Sequence, residues 1–223
     1  MIGLFQDNKK MIKLAAFDFD GTLADSVDFC LAVFDRVFTK YLGESAPGRE
    51  AIYQCFGMNE PGVIRHFLGE RNPAAEEYFY QLHRELHASW CPDVYAGCRD
   101  LLEFLQQRQI MMTILTGRSA TTCNISLEFL DLKKYFINIQ NGSYEKSDKS
   151  PQMLELLKKY NLQPHEVVYI GDAVSDVEAS LRAGIKCLSA AWAKSARIAE
   201  LEKINPGLVF SSVDAMKQYL AVH

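Results

Sequence analysis

A short strand that ends in two carboxylates constrains this 223-residue chain more than any other feature. The run 12–17 is apolar except for one lysine, and its length is typical of a buried parallel strand. Asp18 and Asp20 follow it, and residues two apart in an extended chain face the same side. We therefore expect both carboxylates in the crevice beyond the end of the strand, where open α/β sheets bind ligands.

Two carboxylates this close repel each other unless a cation lies between them or one is protonated. A divalent metal would relieve the repulsion at Asp18 and Asp20, and a site built only from oxygen atoms suits Mg²⁺. The alternative is an ordinary turn rich in Asp and Gly that follows a strand. Segments farther along the chain argue against that alternative.

Strand and helix signals alternate in the second part of the chain. The predicted strands lie at 110–115, 136–139, 167–170, 185–188 and 208–210. The predicted helices lie at 97–107, 119–130, 151–160, 174–183, 194–204 and 213–220. This alternation predicts an α/β fold with a doubly wound parallel sheet that is covered by helices on both faces.

The segment between the first and second predicted strands has a different character. It shows helical signals at 27–42, 50–56, 63–68 and 73–90, and no convincing strand. We therefore predict two domains, an α/β core (12–26 and 93–223) and a small all-helical cap domain (27–92).

Composition excludes several classes of protein. A formal charge of −4 gives no electrostatic reason to expect a nucleic-acid or anionic membrane partner. No apolar run approaches the length of a membrane span, and the N-terminus turns polar at Gln6 without a secretory core. The six cysteines show no C-x-x-C pattern, so we expect thiols in a reducing cytoplasm. We expect a monomer or a homodimer.

The stretch 17–26 resembles the first motif of the haloacid dehalogenase superfamily, D-x-D-G-T-L-x-D-S. In the phosphatases of that superfamily the first Asp is the nucleophile and the second is a general acid and base. The resemblance assigns these roles to Asp18 and Asp20. It also implies a five-stranded sheet in which the first strand is central.

The second and third motifs of the superfamily have counterparts here. Thr116 ends a predicted strand, and with Gly117 it resembles the motif that holds the transferred phosphoryl group. Many relatives have Asn after the Thr; we expect Arg118 to cap the next helix at the surface rather than to contact phosphate. The third motif is a single lysine, which we assign to Lys149, with Lys146 as the alternative.

The fourth motif, G-D-x-x-x-D, matches Gly171, Asp172 and Asp176. Asp172 directly follows a predicted strand, and Asp176 lies one helical turn later on the same side. The resemblance implies a metal site formed by Asp18, Asp20, Asp172 and Asp176, with Asp20 contributing its main-chain carbonyl. A helical cap after the first motif is typical of the branch that contains phosphoglycolate phosphatases and β-phosphoglucomutases.

These motifs predict a Mg²⁺-dependent phosphatase that acts on a small phosphorylated metabolite through an aspartyl-phosphate. The alternatives are a phosphosugar mutase or a pyrophosphatase of the same fold, or a regulatory binding protein without catalysis. The break at 57–61 predicts a loop that reaches the active site. We expect Arg65, just beyond it, to contact an anionic group of the substrate.

A second metal site is conceivable on the predicted helix 73–90. His83, His87 and Cys91 follow one another at intervals of four residues, a spacing that suits zinc. The pattern is not H-E-x-x-H, and the sequence offers no fourth ligand. We therefore favour a packing or surface role for the two histidines.

Overall fold

The computed structural model describes residues 11–145 and 148–223. Its six strands form one parallel sheet in the order β3-β2-β1-β4-β5-β6. The strands are β1 (Leu14–Phe17), β2 (Met111–Leu115), β3 (Asn138–Gln140), β4 (Val167–Gly171), β5 (Lys186–Ala190) and β6 (Val209–Phe210). The predicted α/β fold with a doubly wound parallel sheet is confirmed.

Ten α-helices accompany the sheet in the described ranges. Four lie between β1 and β2: α1 (Val27–Leu42), α2 (Arg49–Tyr53), α3 (Glu60–Leu68) and α4 (Pro73–Trp90). The others are α5 (Cys98–Gln107), α6 (Ala120–Phe129), α7 (Ser150–Tyr160), α8 (Val174–Ala183), α9 (Ile198–Ile204) and α10 (Val213–Val222). We call residues 27–92 the cap and the rest of the chain the core; that the cap is a separate domain stays a prediction.

Strand β1 lies at the centre of the sheet and is buried on both faces. Ala15 and Phe17 pack into the apolar cluster that continues into the cap, while Leu14 and Ala16 pack into the cluster on the opposite face. Because both faces need apolar side chains, the strand appears in the sequence as a continuous apolar run. This burial holds the residue that follows, Asp18, in a fixed position.

Several details of the fold differ from expectation. Helix α2 ends at Tyr53 rather than at residue 56, and α3 begins at Glu60 rather than at residue 63, because Asn59 caps it inside the expected break. The sheet has six strands where the resemblance implied five, because the short β6 pairs with the edge of β5. The helix expected at 194–204 begins only at Ile198. Before it, the Trp192 Nε1 donates a hydrogen bond to the carbonyl oxygen of Thr22 at 3.0 Å, and this contact ties the preceding segment to the core in a non-helical path.

The two connections between core and cap lie side by side. Ala24 and Val94 form an isolated antiparallel bridge, and the Tyr95 N–H donates to the carbonyl oxygen of Leu23 at 2.9 Å. The Tyr95 hydroxyl also donates to the Asp25 carboxylate at 3.1 Å. The chain therefore leaves the core and returns to it at almost the same place.

Within the described ranges, no helix has the length and apolar character needed to cross a membrane. The six cysteines are all buried, and no disulfide joins any of them there.

Candidate active site

Three carboxylates meet where the central strands end. Phe17 of β1 is in register with Ile170 of β4, so Asp18 and Asp172 leave the sheet at the same edge. Asp176 approaches them from the first turn of α8. One oxygen atom from each of the three carboxylates lies within 4.8 Å of the others.

Lys149, the residue before α7, is the cation of this cluster. Its Nζ lies 2.8 Å from the Asp18 carboxylate and 2.9 Å from the Asp176 carboxylate. It also donates to the Tyr169 hydroxyl at 2.7 Å. The structure thus brings Lys149 into the site, while the alternative lysine, Lys146, lies outside the described residues.

The cluster contains three carboxyl groups and one ammonium. Burial raises the pKa of Asp18 to about 7, although the Lys149 ammonium acts in the opposite direction. Burial and the charges of Asp18 and Asp176 also raise the pKa of Asp172 well above its usual range. Burial alone would lower the pKa of Lys149, but Asp176 and Asp18 outweigh it and raise that pKa. The arrangement favours a further cation.

The donor set fits a hard divalent cation. The side chains that converge here are the carboxylates of Asp18, Asp172 and Asp176, which are buried or half-buried. Mg²⁺ prefers such oxygen ligands to nitrogen or sulfur. The carboxylate of Asp20, the fourth predicted ligand, is not part of this group. Only the main chain of Asp20 remains as its contribution to such a site.

The side chain of Asp20 is bound instead by Arg118. The guanidinium Nη2 lies 2.6 Å from Asp20 Oδ1 and Nε lies 2.9 Å from Oδ2. The Ser26 hydroxyl donates to Oδ1 at 2.6 Å. Burial alone would raise the pKa of Asp20, but the charge and hydrogen bonds of Arg118 outweigh it and lower that pKa. Asp20 is therefore held as a carboxylate.

The expectation that Arg118 caps a helix at the surface was wrong, because its side chain is only 3% exposed. Ser119 caps α6 instead, since its hydroxyl accepts a hydrogen bond from the Thr122 N–H. Arg118 is left free to turn inward, where its guanidinium lies 4.5 Å from the centre of the Phe19 ring.

The far side of the guanidinium contacts helix α4 of the cap. Arg118 Nη1 donates to the Ser126 hydroxyl at 2.7 Å, and that oxygen lies 3.1 Å from His83 Nε2 and 2.9 Å from His87 Nε2. Burial and the charge of Arg118 lower the pKa of His83 well below its usual value and that of His87 to about 4. Both rings are therefore neutral at pH 7, and a buried polar chain links Asp20 to α4.

The structure shows a packing role for these histidines. The ring of His83 stacks on that of Phe29 with 4.6 Å between the centres. Cys91 does not join His83 and His87 in a group of converging metal ligands anywhere in the described ranges.

Thr116 and Gly117 follow β2 beside the cluster. Thr116 is buried, and its hydroxyl accepts a hydrogen bond from the Arg118 N–H at 3.2 Å. Gly117 lines the cavity that opens here, whereas Thr116 is not among the residues that line it. The structure therefore places Gly117 directly in the candidate site and Thr116 behind it.

A cavity of about 210 Å³ lies between the core and the cap at this edge of the sheet. Asp18, Asp20, Lys149 and Asp172 are among the core residues that line it. The cap lines it with Val27, Cys30, Phe34, Tyr53, Phe56, Gly57, Met58, Glu60 and Val63. Arg65 is exposed on α3 and does not line this cavity, so the structure does not bring the expected cap cation to the site.

The start of α3 is docked against the core. The Asn59 N–H donates to the Ser143 carbonyl oxygen at 2.8 Å. The buried Glu60 carboxylate accepts a hydrogen bond from the Ser119 N–H at 2.7 Å and another from the Thr122 hydroxyl. Because Ser119 begins helix α6, Glu60 also places negative charge at the positive end of that helix.

Sequence analysis missed Glu60, Ser126 and Tyr169. Two of them carry a weak signal. Tyr169 is the one polar aromatic residue of an otherwise aliphatic strand, and Glu60 stands between a helix-capping Asn and a Pro. Ser126 lies in the middle of a helix and shows no such signal.

The family model for haloacid dehalogenase-like hydrolases matches residues 15–190. A phosphoglycolate phosphatase from Chromobacterium violaceum is 30% identical over 196 residues, which cover 83% of this chain and 87% of that protein. A phosphoglycolate phosphatase from Pseudomonas fluorescens is 27% identical over 201 residues, which cover 85% of this chain and 72% of that protein.

Solved structures show the same fold at lower identity. A predicted phosphoglycolate phosphatase from Haemophilus somnus 129PT superposes with a TM-score of 0.74 at 18% identity, covering 93% of this chain and 98% of that one. CbbY from Rhodobacter sphaeroides in complex with phosphate superposes with a TM-score of 0.71 at 18% identity, covering 91% and 95%.

Proposed function

Because this chain belongs to the haloacid dehalogenase-like hydrolases, we propose that it is a Mg²⁺-dependent phosphatase of small phosphorylated metabolites. The observation that carries the proposal is the position of Lys149 Nζ, within 2.9 Å of both the Asp18 and the Asp176 carboxylates. A buried carboxylate beside a fixed cation, at the mouth of a cavity, suits nucleophilic attack on a phosphoryl group.

Asp18 is the proposed nucleophile. Its carboxylate oxygen attacks phosphorus, the bond from phosphorus to the ester oxygen breaks, and an aspartyl-phosphate forms. Lys149, the Thr116 hydroxyl and the Gly117 N–H hold the non-bridging phosphoryl oxygens. The leaving oxygen takes a proton from Asp20 and departs as an alcohol, which leaves Asp20 as a carboxylate for the next step.

Asp20 is the proposed general acid and base. As a base, its carboxylate takes a proton from the water that attacks the aspartyl-phosphate, which releases phosphate and regenerates Asp18. Arg118 keeps Asp20 in the ionised form that this second step requires. To protonate a leaving group, Asp20 must first take up a proton against the influence of Arg118.

The carboxylates of Asp18, Asp172 and Asp176 and the main-chain carbonyl of Asp20 would hold the Mg²⁺. The bound ion would supply positive charge that offsets the charge of the phosphoryl group. We also propose that the protein acts in the cytoplasm, as a monomer or a homodimer, without nucleic-acid or membrane partners.

Hydrolysis of para-nitrophenyl phosphate tests this function. We expect turnover with Mg²⁺, its loss with EDTA, and poor rates with Ca²⁺ because of its larger and looser coordination shell. Asp18→Asn should lose nearly all turnover while staying folded, since an amide is not a nucleophile here. Asp131→Asn, which changes an exposed carboxylate, is the matched control.

Acid quenching of the wild-type enzyme during turnover should trap one phosphoryl group on Asp18, measured by mass spectrometry of peptides. Near-native turnover by folded Asp18→Asn protein would disprove the covalent route. A wild-type protein that binds phosphate but never hydrolyses the ester would favour the regulatory binding protein instead.

A further inference from the structure

The cap side of the cavity is largely apolar, with Tyr53 and Glu60 as its main polar side chains, and carries no positive charge. All cap residues, 27–92, are described, and none of those that line the cavity is Lys, Arg or His. Phe34 projects from α1, Phe56 and Met58 from the loop before α3, and Val63 from α3 itself. Among the cap residues that line the cavity, Glu60 has the single carboxylate, and it is already hydrogen bonded to the start of α6.

Each described cation that lines the cavity already has a carboxylate partner. Arg118 binds Asp20, and Lys149 binds Asp18 and Asp176. The third, Arg182, pairs with Asp148 through contacts of 2.9 and 3.1 Å. Lys149 is the one that faces the reacting phosphoryl group, so none of the three is left for a second anionic group.

The cavity volume sets the size of the group that fits beside the phosphoryl group. A cavity of about 150 Å³ with apolar walls accommodates a benzene ring. The cavity of about 210 Å³ therefore has room for a phosphoryl group and one such small apolar group. A carboxylate placed against Phe34, Phe56 and Met58 would lose its hydration without gaining a cation as a partner, and such burial is costly.

We infer that the physiological leaving group is a small, uncharged and largely apolar alcohol, and that Phe56 and Met58 determine this specificity. The inference rests on the proposed phosphatase function and concerns the substrate of the same site. It predicts that this chain disfavours 2-phosphoglycolate, the compound suggested by the names of its relatives.

A pair of esters with the same shape tests the inference. Isobutyl phosphate and 2-phosphoglycolate share the phosphoryl group, the ester oxygen and the adjacent methylene. The first ends in an isopropyl group and the second in a carboxylate. Each is measured by phosphate release and by competition against para-nitrophenyl phosphate, so that a bound but slowly hydrolysed ester is also detected. We expect isobutyl phosphate to have the higher kcat/KM, by roughly tenfold or more, and the lower inhibition constant.

Two variants connect the preference to the cap. Phe56→Ala should lower kcat/KM for isobutyl phosphate by roughly tenfold. Phe67→Ala, which removes an equally half-buried cap aromatic outside the cavity, should leave it within about twofold. Met58→Lys supplies the missing cation and should shift the preference toward 2-phosphoglycolate.

The outcomes separate the two proposals. Equal preference, or a preference for 2-phosphoglycolate, with intact turnover of para-nitrophenyl phosphate would overturn the inference and leave the phosphatase function standing. Lys146→Ala would then show whether that lysine, outside the described residues, binds the carboxylate. No turnover of any of the three esters in the presence of Mg²⁺ would overturn the phosphatase function and the inference with it.

Discussion

At the scale of single residues, the pairing of Asp20 with Arg118 governs the chemistry. Both side chains are largely withdrawn from water, and Arg118 makes three short contacts to the one carboxylate. A buried ion pair is costly to break because the remaining charge has no partner. Arg118 therefore fixes both the position and the ionised state of the proposed base.

Replacing Arg118 should slow the second half of the reaction. We expect Arg118→Met to lower steady-state kcat for para-nitrophenyl phosphate by roughly tenfold to a hundredfold, because a displaced base loses part of the ~10²–10⁴-fold contribution of general base catalysis. The initial burst of nitrophenolate should persist, because this leaving group needs no proton. Rapid-quench experiments should therefore show that the aspartyl-phosphate accumulates.

A double-mutant cycle separates positioning from general damage. If Arg118 acts through Asp20, adding Arg118→Met to Asp20→Asn should change kcat little further. Arg99→Met is the control. It removes a different arginine, whose Nε and Nη2 both donate to the Asp93 carboxylate, and it should leave the kinetics unchanged. Losses that add fully in the cycle, or an equally reduced burst, would contradict the positioning role.

The positions of the carboxylates at the sheet edge were predictable from the sequence, whereas Arg118 as the partner of Asp20 was not. The residues Asp18 and Asp172 follow strands directly, so the parallel sheet alone brings them to one edge. The direction of the Arg118 side chain depends on Ser126 and on two histidines from a distant helix. No local pattern contains that information.

At the scale of secondary structure, α4 joins the cap to the core through its histidines. His83 and His87 are almost fully buried and approach the Ser126 hydroxyl on α6. The hydroxyl accepts from Arg118 and donates only once, so one imidazole accepts its proton and the other donates Nε2–H to it. The accepting ring must be neutral, and the lowered pKa values of both histidines keep the donating ring neutral as well.

Acid should therefore weaken the fold through this helix. The pKa of His87 is lowered from 6.5 to about 4 in the folded protein, so the unfolded chain binds more protons between these values. Stability is then lost as pH falls from about 6.5 toward 4. In urea unfolding, the free energy of unfolding should fall between pH 7.5 and pH 5.5 for both proteins. The fall should be about 1 kcal/mol smaller for His87→Gln than for the wild type.

The exposed His165 provides the control for this measurement. His165→Gln should show the same loss between the two pH values as the wild-type protein. An identical pH dependence for His87→Gln would show that the imidazole is not neutral in the folded state.

Helix boundaries were predictable where the chain carries capping residues. Helix α4 spans the predicted residues 73–90, because Asn72 accepts a hydrogen bond from the Ala75 N–H and Pro73 suits a first helical turn. Helix α9 begins later than expected, because Trp192 holds the preceding segment through a contact with Thr22. A tertiary contact of that kind leaves no periodicity in the sequence.

At the scale of the whole molecule, buried carboxyl groups outnumber the cations beside them at one edge of the sheet. Asp18, Asp172 and Asp176 face a single ammonium, that of Lys149, in the metal-free protein. Folding must therefore either crowd ionised carboxylates together or protonate some of them, as the raised pKa values of Asp18 and Asp172 indicate. A bound cation would remove this cost, which couples metal binding to the stability of the fold.

Adding Mg²⁺ should raise the melting temperature. At a hundred times the dissociation constant, binding stabilises a protein by about 2.7 kcal/mol. For a chain of this length, that corresponds to roughly 5–10 °C in a calorimetric or fluorescence melt. Asp172→Asn should abolish most of the shift. Without metal, this variant should melt no lower than the wild-type protein, because it removes a buried carboxyl group that is costly to ionise.

Asp214→Asn, a change of an exposed carboxylate on α10, should keep the full shift. An equal Mg²⁺ shift in the Asp172→Asn protein would place the ion elsewhere.

The neighbouring entry and exit of the cap make it replaceable as a unit. Because Ala24 and Val94 already pair across the junction, a helical segment from a relative could be grafted there without lengthening any strand of the sheet. The proposed reacting residues Asp18, Lys149 and Asp172 would stay in place, so a new cap would change the proposed leaving group and retain the proposed chemistry. Such a graft must keep counterparts of Glu60, His83 and His87, since these three attach the present cap to the core. Substrate range in this architecture can thus change by recombination at two backbone positions, Ala24 and Val94, that are far apart in sequence and paired in space.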